Sequence, residues 1–178
     1  MRVLVQRSGN ASVTIDNETV GKIDSGLVLL VGFTEGDDLS KIEYLAKKVV
    51  NLRIFPDEND VMNKSILDYG GSILSISQFT LYADTNKGNR PSYINALRGE
   101  ESTKLYDLFN EELRKYVEVE TGRFGADMVV NITNIGPTTI NRKLAAIKNY
   151  NLFLIDKKIQ NNIVVLDKDY IKIQKTII

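Results

Sequence analysis

The chain has 178 residues, 43% of them hydrophobic, and carries 23 lysines and arginines against 23 aspartates and glutamates. That composition suits one ordinary globular domain with a real core, and the zero net charge excludes a chain that is basic throughout. Cysteine and histidine are both absent, which removes disulfides, thiolate catalysis, the commonest zinc ligand and the Ser-His-Asp triad.

Any hydrolysis on this chain must therefore use hydroxyls, carboxylates, lysine, backbone groups or the substrate itself. The first seven residues are too few and too charged for a signal peptide. No apolar run approaches the ~18–20 residues of a membrane span. A cytoplasmic location, no membrane and no metal or other cofactor are the expectations.

Taken in chain order, residues 2–7 read as a strand. Ala11, Val13 and Ile15 alternate with polar residues, Asp16-Asn17-Glu18 offers a turn, and Val20 and Ile23 continue beyond it, which predicts a β-hairpin. Leu27 to Val31 is an unbroken apolar run of the length of a strand buried on both faces. Ser40-Lys41-Ile42-Glu43 has the spacing of a capping box, followed by Ile42, Leu45, Ala46 and Val49 on one helical face.

Leu52-Arg53-Ile54-Phe55 reads as a short strand stopped by Pro56, and Asp57-Glu58-Asn59-Asp60 as a polar loop. Gly70-Gly71 turns the chain into a strand over Ser72–Ser77. Residues 84–98 form a long loop around Lys87-Gly88-Asn89-Arg90-Pro91. A second helix runs from about Ser102 to Tyr116, with Leu105, Leu108, Phe109 and Leu113 as its buried stripe. Met128–Ile132 is a strand, and Gly136-Pro137 interrupts before β-branched Thr138-Thr139-Ile140.

Many strands with two main helices predict a mixed α/β domain over residues 1–140. Residues 141–178 differ: they carry +5 net charge against −5 for the rest. There a short helix over 142–150 and a hairpin over 163–173 are expected, as an appendage of unknown role.

Two segments stand apart. Ser77-Gln78-Phe79-Thr80-Leu81 clusters polar side chains at a strand end, and Asn134-Ile135-Gly136-Pro137-Thr138-Thr139 sits between two strands. Each alone reads more readily as an ordinary strand end or turn.

In this order, with other motifs, they make the chain resemble the bacterial and eukaryotic D-aminoacyl-tRNA deacylase family (D-Tyr-tRNA deacylases) over about residues 1–140. The matching stretches are Arg2-Val3, Gln6-Arg7, Ala11-Ser12-Val13, Leu52-Arg53-Ile54-Phe55, Ser77-Gln78-Phe79-Thr80-Leu81-Tyr82-Ala83-Asp84 and Lys87-Gly88-Asn89-Arg90-Pro91-Ser92. Thr121-Gly122-Arg123-Phe124-Gly125-Ala126-Asp127-Met128 and Asn134-x-Gly136-Pro137-x-Thr139 complete the set.

The resemblance implies a mixed-sheet, barrel-like fold and a homodimer with cross-subunit active sites. The implied substrate is tRNA carrying a D-amino acid, or glycine mischarged on alanine tRNA, and L-aminoacyl-tRNA is rejected. Catalysis in the family is thought to rest on backbone groups and on the substrate's 2′-hydroxyl. Backbone N–H groups at Phe79 and Thr80 would then polarise the ester carbonyl, with Ser77, Gln78 and Thr80 anchoring the substrate. Thr80 is the obvious hydroxyl nucleophile candidate, but no base is evident beside it.

Gly136-Pro137 resembles the family's Gly-cisPro motif, which enters the opposite subunit's site and excludes an L side chain by collision with main-chain atoms. Asn134 and Thr139 flank it. Phe124 and Met128 match pocket positions or are plain core. Arg7 braces the Gly-Pro loop or forms a surface ion pair. Lys87 and Arg90 touch tRNA phosphates or are merely solvated.

Ile135 and Thr138 depart from the family's usual acidic residue and valine, and the 141–178 appendage departs further. Two alternatives stay open: a related branch with a trans Gly-Pro acting on small L-amino acids, and a non-catalytic nucleic-acid-binding module.

Overall fold

The computed structural model describes residues 1–86 and 88–132. The expected elements beyond 132 lie outside the described residues.

The fold is built on the apolar run at residues 27–31. It lies in β4 (Gly26–Gly32), which runs antiparallel to β1 (Arg2–Ser8) on one side and parallel to β7 (Ser72–Ser77) on the other. The short β8 (Val119–Thr121), which the sequence pattern does not announce, extends this sheet by pairing parallel to β7. Side chains alternate along β4. Leu27, Leu29 and Val31 enter a core cluster with Ile42, Ala46, Phe109 and Leu113. Val28 turns the other way, towards Ala11, Val13, Ile23, Leu74 and Ile76. Burial on both faces is why the run has no polar alternation.

The second cluster is closed by an antiparallel sheet. Here β2 (Ala11–Ile15) lies between β3 (Glu18–Ile23) and β9 (Val129–Ile132). The β2–β3 turn holds Asp16 and Asn17 at φ of 49° and 67°. A two-residue hairpin turn needs that left-handed pair, and Asp and Asn tolerate it best after glycine.

The first cluster is closed by two helices. In α1 (Leu39–Val50) the N-cap is Asp38, whose carboxylate accepts the Lys41 N–H at 3.0 Å. The expected Ser40–Glu43 box does not form. Ser40 is already helical, and its hydroxyl donates to Asp38. A capping box does occur at α2 (Ile66–Tyr69), between Ser65 and Asp68.

Residues 52–54 are not a strand. Leu52 and Ile54 close turns onto Val49 and Leu52, and only Phe55–Pro56 (β5) bridges to Met62–Lys64 (β6). The helix α3 (Gly99–Arg114) starts before Ser102. Its buried stripe is Ser102, Tyr106, Phe109, Asn110 and Leu113, while Leu108 is 45% exposed. Polar residues occupy part of the inward face, so counting apolar side chains alone misplaces it. The Tyr106 hydroxyl donates to the Ser75 carbonyl at 2.8 Å, tying α3 to β7. Among the described residues no helix is long and apolar enough to cross a membrane.

The acid limit of the fold follows from its carboxylates. The Lys41 N–H holds Asp38 below its usual range, the Val61 N–H does so for Asp57, Lys64 for Glu58 and the Ser65 hydroxyl for Asp68. A lowered folded pKa stabilises above the unfolded value and is lost as pH falls through the folded one. With no histidine to titrate, Tm should be flat from pH 5 to 7 and fall only below about pH 4. A thermal-melt series across pH checks this, and a step near pH 6.5 would contradict it.

Candidate active site

Parallel pairing carries β7 beyond Ser77. The Gln78 N–H donates to the Val31 carbonyl at 2.6 Å, holding the chain against the end of β4. The backbone then winds into a single 3₁₀ turn, Phe79–Tyr82. Gly32 lies beneath it: a Cβ there would stand 2.8 Å from the Gln78 carbonyl oxygen. The missing side chain is what lets the turn settle on the sheet.

The turn's first closing bond runs from the Leu81 N–H to the Gln78 carbonyl. The N–H groups of Phe79 and Thr80 precede it and take no acceptor within the turn. Phe79 lines a cleft of about 340 Å³ together with Ser77, Gln78, Ser102, Phe124 and Met128. Residues from β7, the turn, α3 and the approach to β9 thus converge on one space.

Thr80 is not on that lining. Its hydroxyl oxygen receives the Gln78 Nε2 at 2.5 Å. An amide in either orientation is no base, and among the described residues Gln78 is the one hydrogen-bond partner of the Thr80 hydroxyl. Asp127 supplies a carboxylate to the lining, but it is exposed and was not singled out by the motifs.

Phe124 and Met128 each pack on the core and line the cleft. Phe124 packs its ring 5.9 Å from Tyr106 while lining the cleft. Met128 packs on the second core cluster and lines the same space. The Arg7 guanidinium donates to the Ile54 carbonyl at 2.7 Å. Arg90 is exposed in the loop clasped by the backbone bridge between Asp84 and Ser92, away from the cleft lining. Lys87, Asn134, Gly136, Pro137 and Thr139 lie outside the described residues.

Three contributors went unread in the sequence. Ser102 lines the cleft from a buried position on α3. A serine on the inward stripe of a helix is the signal that would have found it. Tyr93 and Arg98 flank the Phe79 ring, Tyr93 edge-on at 5.2 Å and the Arg98 guanidinium at 5.6 Å. Only proximity in space relates these two to the cleft.

Comparisons with known proteins agree on the type of chain. The family model described as D-Tyr-tRNA(Tyr) deacylase matches residues 4–143. A D-aminoacyl-tRNA deacylase of Bacillus cytotoxicus is 56% identical over 141 residues, covering 79% of this chain and 97% of that protein. One of Brevibacillus brevis is also 56% identical with the same coverage. The solved structure of a c-Myc DNA Unwinding Element Binding Protein is 38% identical and superposes with a TM-score of 0.72, covering 77% of this chain and 94% of that one.

Proposed function

The chain belongs to the D-Tyr-tRNA(Tyr) deacylase family, and from that premise we propose a site that cleaves D-aminoacyl-tRNA with main-chain groups rather than a reactive side chain. The protein is a D-aminoacyl-tRNA deacylase, a hydrolase of the ester between an amino acid and the terminal ribose of tRNA. The observation that carries the mechanism is that Phe79, on the cleft lining, and Thr80 after it have N–H groups with no acceptor in the turn, while the Thr80 hydroxyl meets only the Gln78 amide.

In this reading the two N–H groups receive the negative charge that builds on the carbonyl oxygen as water adds to the carbonyl carbon. The adjacent ribose 2′-hydroxyl positions that water. The carbon–oxygen bond to the ribose breaks, and its oxygen takes up a proton to leave as the hydroxyl. Ser77 and Gln78 hold the terminal adenosine and the ammonium end.

Handedness is read by exclusion. Gly136-Pro137, flanked by Asn134 and Thr139 and braced by Arg7, enters the cleft of a second copy in a homodimer and meets an L side chain with main-chain atoms. Glycine has no side chain to exclude, so glycyl-tRNA is a substrate too. Lys87 and Arg90 add weak contact to tRNA phosphates, and the basic 141–178 segment adds to it.

Hydrolysis of D-Tyr-tRNA, Gly-tRNA and L-Ala-tRNA measured side by side tests this. The first two should be cleaved and the third spared. Cleavage of L-Ala-tRNA would point instead to the branch acting on small L-amino acids. Cleavage of none would favour a nucleic-acid-binding module, a reading kept in view by the DNA-binding name of the c-Myc-related neighbour.

A further inference from the structure

At the mouth of the cleft, the exposed ring of Phe79 is held between two side chains of the 84–98 loop region. Tyr93 meets it edge-on, and the guanidinium of Arg98 lies over it. Arg98 is exposed, and none of the ion pairs among the described residues involves it. By contrast Arg2 is tied down, donating to the Leu81 carbonyl and lying over the Tyr82 ring.

The position of Arg98 in the fold makes this more pointed. It is the N-cap of α3, with φ −127° and ψ 170°, and makes no capping hydrogen bond. Serine, threonine, aspartate or asparagine would supply an acceptor to the open N–H groups there. Arginine supplies none and sets a positive charge against the positive end of the helix dipole. Local stability therefore does not explain the residue, whereas a role towards a ligand does.

We infer that Arg98 is a clamp for the tRNA backbone: its guanidinium, pre-set by its cation–π contact with Phe79, grips the phosphate that joins the terminal adenosine to the preceding nucleotide. The inference rests on the deacylase reading, because it needs the terminal nucleoside to occupy the cleft that Phe79 lines. With that nucleoside inside, its 5′-phosphate stays at the rim, where a planar fork of donors suits a phosphate's paired oxygens. The aromatic face beneath reduces the freedom the side chain loses on binding. Arg98 is a positioning and binding residue and takes no part in bond breaking.

The test compares wild type, Arg98→Ser and Arg98→Lys on D-Tyr-tRNA and on D-Tyr-adenosine, the same ester without any phosphate. For Arg98→Ser, KM on D-Tyr-tRNA should rise about tenfold with kcat within about twofold. The slope of log kcat/KM against log salt should become shallower by about one. D-Tyr-adenosine cleavage should change less than about twofold, and Tm should hold or rise because serine caps α3. Arg98→Lys should keep much of the salt dependence while losing part of the affinity, since a point charge replaces the fork.

An equal loss on both substrates would overturn the inference, because Arg98 would then act only by holding Phe79 in place. So would an unchanged KM and salt slope on D-Tyr-tRNA. A wild type that cleaves neither substrate refutes the deacylase reading itself, a result distinct from a variant that tracks an active wild type.

Discussion

Replacing Phe79 by proline should lower kcat about 100–1,000-fold below that of Phe79→Ala, the loss typical of one missing oxyanion donor. Proline removes the N–H and alanine keeps it, while both remove the ring. The backbone accepts the change. Gln78, at φ −146° and ψ 86°, lies outside the helical region that a following proline disfavours, and Phe79 opens the turn where its N–H closes no bond. Similar Tm values for the two variants would show that the fold survives. Ser77→Ala, Thr80→Ala and Asp127→Asn should each keep kcat within about tenfold of wild type. Were Phe79→Pro as active as Phe79→Ala, or Thr80→Ala dead with tRNA binding intact, the main-chain mechanism would give way to a hydroxyl nucleophile.

The largest effect on stability is expected at the far end of the same strand pair. Gly26 opens β4 at φ 142°, and a Cβ there would stand 1.8 Å from the Ser72 carbonyl oxygen. Its Cα already approaches the place a Cβ on Gly71 would take, at 2.9 Å. An alanine must both leave its preferred backbone region and push apart the start of the β4–β7 pairing. Gly26→Ala should cost about 3 kcal/mol or more, in the range reserved for strained or overpacked positions. Urea unfolding followed by far-UV circular dichroism measures it, and a loss under about 1 kcal/mol would show that the strand ends are free to shift.

Much of this molecule is legible in its residues. The 27–31 run names the central strand because only burial on both faces tolerates five apolar side chains in a row. The 11–23 hairpin shows in its alternation and in Asp16-Asn17. What stays hidden has physical causes. The Ser40–Glu43 spacing suggests a capping box that does not form, because that spacing recurs by chance, whereas the cap itself depends on which residue leaves the helical backbone first. Apolar spacing alone points the stripe of α3 towards Leu108, whereas its inward face includes Ser102, Tyr106 and Asn110. β8 has three residues and owes its existence to the edge of β7. At the site, the motif names Ser77 to Thr80, but the open N–H groups and the ring contacts of Arg98 arise only once the turn is wound.

The parallel pairing of β4 with β7 also shapes how a nascent chain leaves the ribosome. β1 covers one edge of β4 early, as both lie within the first 32 residues. The other edge, Leu27 to Val31 with no charge among them, has no partner until residues 72–77 are made, about 40 residues later. At about 5–20 residues per second that is on the order of 2–8 s during which an uncharged strand edge stands open. Slowed elongation or crowding of such chains on one message should therefore favour inclusion bodies, and co-translational chaperones should matter more for yield than the stability of the finished fold.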